Sequence, residues 1–281
     1  MSGPGKISSD PGRRKILVPL DASDESVAAL KTAVRLASRM QASLEGLFIE
    51  DDNLLRAGEL ACCQVVHAVT ATVSTFDRSD MEHQLRLAAR RARAALVAET
   101  TEQGLDWSFR VDRGDVTASI LAAALDVDLI VMGRTSRRPG QRQRLGSTTR
   151  KLVSGATAVL VTGARQHHGP VACMYDASPV ADRALEIAIQ LSRRDGGRLL
   201  VLLAIASSDR TRVAELTKGK GLEVDYEVLP DSHLHGLQTV LRRLPVELLV
   251  LPDGFPALAE AGTETIVSTL DVPVLVIGDK G

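Results

Sequence analysis

Two stretches of this chain repeat each other, and the repetition limits its fold more than any other feature. "DASDESVAALKTAVRLASRM" (21–40) aligns without a gap on "DASPVADRALEIAIQLSRRD" (176–195). Asp-Ala-Ser is shared, and Ala29, Leu30, Ala33, Leu36 and Arg39 match Ala184, Leu185, Ala188, Leu191 and Arg194. The apolar matches fall three and four residues apart, the spacing of a helix face packed on a sheet. Further on, "DLIVM" (128–132) is echoed by "ELLVL" (247–251), and "TAVLVTG" (157–163) by "VPVLVIG" (272–278). A chain built twice from the same unit is two α/β units in series.

Within each copy, short apolar runs alternate with segments of helical period, the pattern of βαβ units making a parallel sheet. Strands are expected near 15–20, 43–49, 107–111, 128–132 and 157–162, with helices at 24–39, 80–102, 116–125 and 146–154. The fold class is therefore α/β, with two tandem doubly wound parallel-sheet domains at 15–163 and 164–281. "GARQHHG" (163–169) reads as the linker, and residues 1–14, rich in Gly, Pro and Ser, as a flexible lead-in. The copies differ in their middles. The first carries a long segment, 51–78, containing "NLLRAGELACCQVVHAVTATV". Its period is ambiguous; a helix covering the sheet is the simpler reading and an interaction surface the alternative. The second has only a short helix near 209–217 before a strand at 222–229.

Composition narrows the class of function. With 34 basic and 35 acidic residues the 281-residue chain has a net charge of -1, which argues against a nucleic-acid coat or a polybasic membrane binder. No run of 18 apolar residues occurs, and the N-terminus lacks the apolar core of a signal peptide. Cys62 and Cys63 are adjacent, Cys173 stands apart, and no CxxC is present; the expected location is the reducing cytoplasm, with all three cysteines as small buried hydrophobes.

Against that neutral background stands "VMGRTSRRPGQRQRLGSTTRKL" (131–152), a strand end followed by a loop with six arginines and no acid. In a doubly wound sheet such a loop lies beyond the carboxyl ends of the strands, where ligands bind. Gly133 admits a tight turn, and Gly146-Ser147-Thr148 opens a helix whose free N–H groups and hydroxyls suit phosphate oxygens. Arginine forks add bidentate anion contacts.

On these residues the chain resembles a tandem universal stress protein, two such domains fused in one polypeptide. Nucleotide-binding members of that family carry glycine, two residues, glycine, nine residues, then glycine with Ser or Thr. Gly133, Arg134-Thr135, Ser136, residues 137–145 and Gly146-Ser147 keep every spacing, with Ser136 in place of the second glycine. The resemblance covers nearly the whole chain from Lys15 and implies a Rossmann-like, adenine nucleotide alpha hydrolase-like fold. It also implies ATP, with or without Mg²⁺, as ligand. "ILVPLDAS" is similar to the family's first strand and its terminal acid, so Pro19, Leu20 and Asp21 would touch adenosine and Phe48 would line the base pocket. Met132, Gly133, Arg134, Ser136, Gly146, Ser147 and Thr148 would complete the site. Asp21 and Ser23 are equally suited to cap the following helix. The family resemblance further implies pairing through last strands, as a homodimer or as an internal pseudo-dimer along "AVLVT" and "PVLVI".

The second copy has "LPDGFPALAEAGTETIV" where the cradle should be, with Asp253, Glu260 and Glu264 and no arginine, so one nucleotide site is expected and not two. Aromatic residues make up 2% of the chain, too few for stacking platforms, which makes nucleic acid an unfavoured partner for the arginine loop. His167, His168, His233 and His235 lack partners at metal-ligand spacing, and neither GxSxG, HExxH nor a P-loop occurs. The expectation is a non-enzymatic, ATP-binding stress-response sensor acting on an unidentified client protein. The alternative is a nucleotide-independent scaffold using the repeats and segment 51–78.

Overall fold

The computed structural model describes residues 13–57, 64–66, 73–75, 78–134, 145–153, 156, 158–163, 165, 167–193, 197–204, 210–230 and 233–278. The expectations for the N-terminal lead-in before Arg13, for Cys62 and Cys63, and for Ser136 and most of the arginine loop lie outside them.

The first half runs β1 (Lys15–Pro19), α1 (Asp24–Met40), β2 (Ser43–Asp51), α2 (Asp52–Ala57), β3 (Gln64–Val66), β4 (Val73–Thr75), α3 (Arg78–Thr101), β5 (Trp107–Gly114), α4 (Val116–Ala124), β6 (Leu129–Gly133), α5 (Ser147–Val153) and β7 (Ala158–Thr162). The second runs β8 (Val171–Tyr175), α6 (Pro179–Ser192), β9 (Arg198–Leu203), α7 (Arg210–Thr217), β10 (Glu223–Val228), α8 (Leu234–Arg243), β11 (Leu248–Pro252), a 3₁₀ turn (Pro256–Leu258), α9 (Thr263–Thr269) and β12 (Val274–Ile277). Among the described residues no helix is long and apolar enough to cross a membrane.

Ten strands form one sheet in the order β10-β9-β8-β11-β12-β7-β6-β1-β2-β5. Neighbours are parallel throughout except at the centre, where β12 and β7 run antiparallel and pair Ala158 with Ile277 and Val161 with Val274. The two halves thus have the same strand order and meet last strand to last strand. Alternation along the buried strands fills both faces. Ile16 and Val18 pack with Ala29, Leu30 and Ala33 of α1, whereas Leu17 faces the opposite side with Ile120 of α4 and Leu152 of α5.

The repeat is visible down to single dihedrals. Ser23 caps α1 by accepting the Ser26 N–H at 3.1 Å, and Ser178 caps α6 by accepting the Ala181 N–H at 3.1 Å. Before each cap an alanine takes the left-handed conformation, Ala22 and Ala177 both at φ 62°. This arrangement costs an L-residue about 1–2 kcal/mol. Because it recurs in both halves, it belongs to the strand-to-helix turn and marks no site.

Segment 51–78 departs from the covering helix expected of it. The helix ends at Ala57, with Leu55 buried, and an antiparallel pair, Gln64–Val66 with Val73–Thr75, follows. Its β-branched residues favour extended backbone, which is why the helical period was ambiguous.

Candidate functional site

The order in which the chain visits its strands opens a crevice in the first half. From β1 it steps outward to β2 and β5, then returns to the other side of β1 as β6. Connections leaving β1 and β6 therefore diverge, and a gap opens beyond their carboxyl ends. A cavity of about 330 Å³ occupies that gap. Pro19, Leu20 and Asp21 border it at the end of β1, Met132, Gly133 and Arg134 at the end of β6, and Gly146, Ser147 and Thr148 at the start of α5. Leu47 and Ile49 of β2, with Val116 and Ile120 one turn apart on α4, line it too and supply an apolar wall. Ser23, Glu25, Ser26 and Thr149 complete the lining, so the cavity combines an apolar wall with hydroxyls, glycine backbone and the carboxylates of Asp21 and Glu25.

Nine of the eleven site residues expected from the sequence border this cavity. Ser136 lies outside the described residues, and Phe48 is placed elsewhere. Phe48 is 3% exposed and packs in the core on the α1 and α3 face, because consecutive side chains of a strand point to opposite faces. The apolar wall falls instead to its neighbours Leu47 and Ile49, which register with Arg110 and Asp112 of β5. Alternation along β2 was the signal that could have identified them.

Asp21 serves the turn as well as the cavity. Its Oδ1 accepts the Ser23 N–H at 3.0 Å and the Ser23 hydroxyl at 2.5 Å. Partial burial pushes the Asp21 carboxyl up, but the hydrogen bonds from Ser23, together with Ser26, outweigh it and hold the group below its ordinary value. Asp21 is therefore a carboxylate at neutral pH. In the second half Asp176 makes the same turn, accepting the Ser178 N–H at 3.0 Å.

Gly133 is required by proximity. A Cβ there would stand 2.6 Å from the carbonyl oxygen of Glu25 in the first turn of α1. Its φ is not positive, so the constraint is close approach of two backbones and not an unusual turn. At the far side of the cavity the Thr148 hydroxyl lies 3.0 Å from that of Thr117 on α4.

Arg134 borders the cavity, yet its guanidinium turns to the other half of the molecule. The side chain is buried and donates to the Leu270 carbonyl and, at 2.7 Å, to the Val272 carbonyl. Burial pulls its pKa down to about 10, opposed by the charge of Asp271, so it stays cationic at neutral pH. Nothing local in the sequence points to partners 136 and 138 residues away.

The corresponding crevice of the second half is filled by the chain itself. Phe255 and Leu258, 3% and 2% exposed, enter the core beside Leu202 and Leu251. Asp253 takes the Thr263 hydroxyl at 2.5 Å, which places the chain's own carboxylate at the start of α9. An anion is thus already built in where the first half presents glycine and hydroxyls.

The histidines and cysteines assemble no centre: among the described residues no three of His, Cys, Asp and Glu are placed to hold a metal ion. His167 is half-buried and held below its ordinary pKa by burial and by Arg165 and Arg134. His233 lies 3.7 Å from Glu260, both well exposed. Cys173 is fully buried, which pushes its thiol up and leaves it inert.

The model of the universal stress protein family matches residues 12–162, more than half of the chain. No curated protein matches it. Among solved structures, a universal stress protein from Archaeoglobus fulgidus is similar over 94% of this chain and 96% of its own, at 17% identity and a TM-score of 0.70. A functionally unknown protein from Pseudomonas aeruginosa PAO1 is similar over 95% of this chain and 93% of its own, at 20% identity and a TM-score of 0.59. A protein from Pseudomonas aeruginosa UCBPP-PA14 covers 95% and 94%, at 20% identity and a TM-score of 0.60. At these identities the likeness is one of fold.

Proposed function

The chain belongs to the universal stress protein family, and from that premise we propose that its first half binds one adenine nucleotide, ATP, in the cavity between β1 and β6. The reading holds that this binding serves stress signalling in the cytoplasm and not catalysis. The observation that carries it is the division of the cavity. The apolar side chains of Leu47, Ile49, Val116, Ile120 and Met132 suit a purine, and the Asp21 carboxylate suits ribose hydroxyls. Gly133 and Gly146–Thr148, with exposed backbone and hydroxyls, suit the phosphates. A volume near 330 Å³ lies within the range of roughly 300–1,000 Å³ common for small-molecule sites.

Among the described residues, the ionisable side chains bordering the cavity are Asp21, Glu25 and Arg134. Bound Mg²⁺ would rest chiefly on phosphate oxygens. A nucleotide can act as a signal only by differential affinity for two states of the protein.

Calorimetric titration of the purified chain with ATP and Mg²⁺ at low ionic strength tests the proposal. Binding of one nucleotide per chain is expected, abolished by Gly146→Val. A chain that releases no nucleotide on denaturation and gives no heat with ATP overturns it and leaves the nucleotide-independent scaffold.

A further inference from the structure

The cavity belongs to the first half, yet two of its borders are held from the second. At the end of β6, Arg134 donates its backbone N–H to Thr162 at 2.8 Å and extends its guanidinium to the carbonyls of Leu270 and Val272. Those carbonyls flank Asp271 in the approach to β12, which pairs with β7, which pairs with β6. The link therefore closes a ring of covalent and hydrogen-bonded backbone around the exit from Gly133. At the start of α5, Arg150 meets Glu264 of α9 at 2.5 Å. Both side chains are about half exposed there, so that pair contributes little, whereas the buried Arg134 fork is shielded from water.

The link is one-sided. Asp253 holds the matching place after β11, donating its backbone N–H to Ile277 at 2.8 Å as Arg134 does to Thr162. Its side chain instead turns back to Thr263 of its own half. A general feature of the fold would appear twice; this contact occurs only beside the open crevice.

We propose that Arg134 is a positioning residue of the nucleotide site, through which the second half sets the affinity of the first for the phosphate end of its ligand. The inference rests on the nucleotide reading above. Arg134 acts through Gly133, whose place between the backbone of Glu25 and the cavity leaves no slack: a shift of the β6 exit changes the space offered to phosphates while leaving the Leu47 and Ile49 wall in place.

The test is titration of the full chain with ATP and, separately, with adenosine, in the wild type, Arg134→Met and Arg39→Met. Arg39 joins α1 to Glu247 across the same seam without bordering the cavity, so its loss loosens the halves elsewhere. Arg134→Met is expected to weaken ATP about tenfold, within the usual range of coupling between sites, and to leave adenosine unchanged. Arg39→Met is expected to lower the unfolding midpoint and change neither affinity. If Arg134→Met fails to fold, Arg134→Lys, which keeps the charge but not the fork, replaces it and must show the same ATP-over-adenosine split. Wild-type ATP affinity in the Arg134 variant, or equal ATP losses in the Arg134 and Arg39 variants, overturns the inference and leaves the nucleotide reading standing. A wild type that binds no ATP overturns both.

Discussion

Gly133 and Glu25 approach so closely that a Cβ on the glycine would stand 2.6 Å from the carbonyl oxygen of Glu25. The obstacle is backbone, in the first turn of a helix, and cannot rotate aside. Gly133→Ala should therefore destabilise the chain by about 1–3 kcal/mol, the usual cost of overpacking, seen as a lower midpoint in urea with an unchanged slope. Full stability in the variant would show that α1 can slide.

The pH dependence of Asp21 follows from the direction of its shift. Ser23 and Ser26 hold its folded pKa below its unfolded value of about 3.9, so ionised Asp21 stabilises the fold above that pH. That contribution is lost as pH falls through the folded value. Asp21→Asn should flatten the decline of the unfolding midpoint below about pH 4, where unfolded Asp begins to protonate. An identical acid profile in wild type and variant would refute the assignment.

Phe255 fills the second crevice, and Phe255→Ala should cost about 3–5 kcal/mol, as large core truncations do. Emptying the crevice should not create a second nucleotide site, because Asp253 still occupies the start of α9. Calorimetric stoichiometry with ATP decides this; a second bound nucleotide in the variant would mean that packing alone closes that half.

Across the seam, Arg39 grips both oxygens of Glu247 at 3.0 Å, with side chains only 16% and 19% exposed. Glu247→Gln should remove about 1.5–3 kcal/mol, the range for hydrogen bonds to charged groups, measured by chemical denaturation at neutral pH. A change within error would show that this pair adds nothing to the strength of the seam.

Much of this architecture was legible because the dominant signals were local. Apolar runs such as "DLIVM" and "TAVLV" marked strands within one or two residues, and the spacing of Ala29, Leu30, Ala33 and Leu36 marked the buried face of α1. Glycine and hydroxyl positions at 133 and 146–148 marked the crevice because the turn from strand to helix is itself local. What escaped was set at long range. Phe48, expected in a base pocket, lies one residue away from the side chains that border the cavity: alternation along β2 separates it from Leu47 and Ile49, but both faces carry apolar residues and do not show which one meets the cavity. Arg134 looked like an anion ligand because its charge stood beside other arginines, whereas its partners are carbonyls in the other half. In segment 51–78, β-branched residues within an apolar run suited strand and helix alike.

The antiparallel pairing of Val159 with Val276 and Leu160 with Leu275 carries a last consequence. An association made within one polypeptide acts at a high effective concentration and cannot be undone by dilution. Each half keeps the same companion throughout the life of the molecule, with no exchange of subunits. Such a permanent companion can fill its own crevice with its own side chains, as Phe255 and Asp253 illustrate, and still serve as the surface against which its neighbour is built.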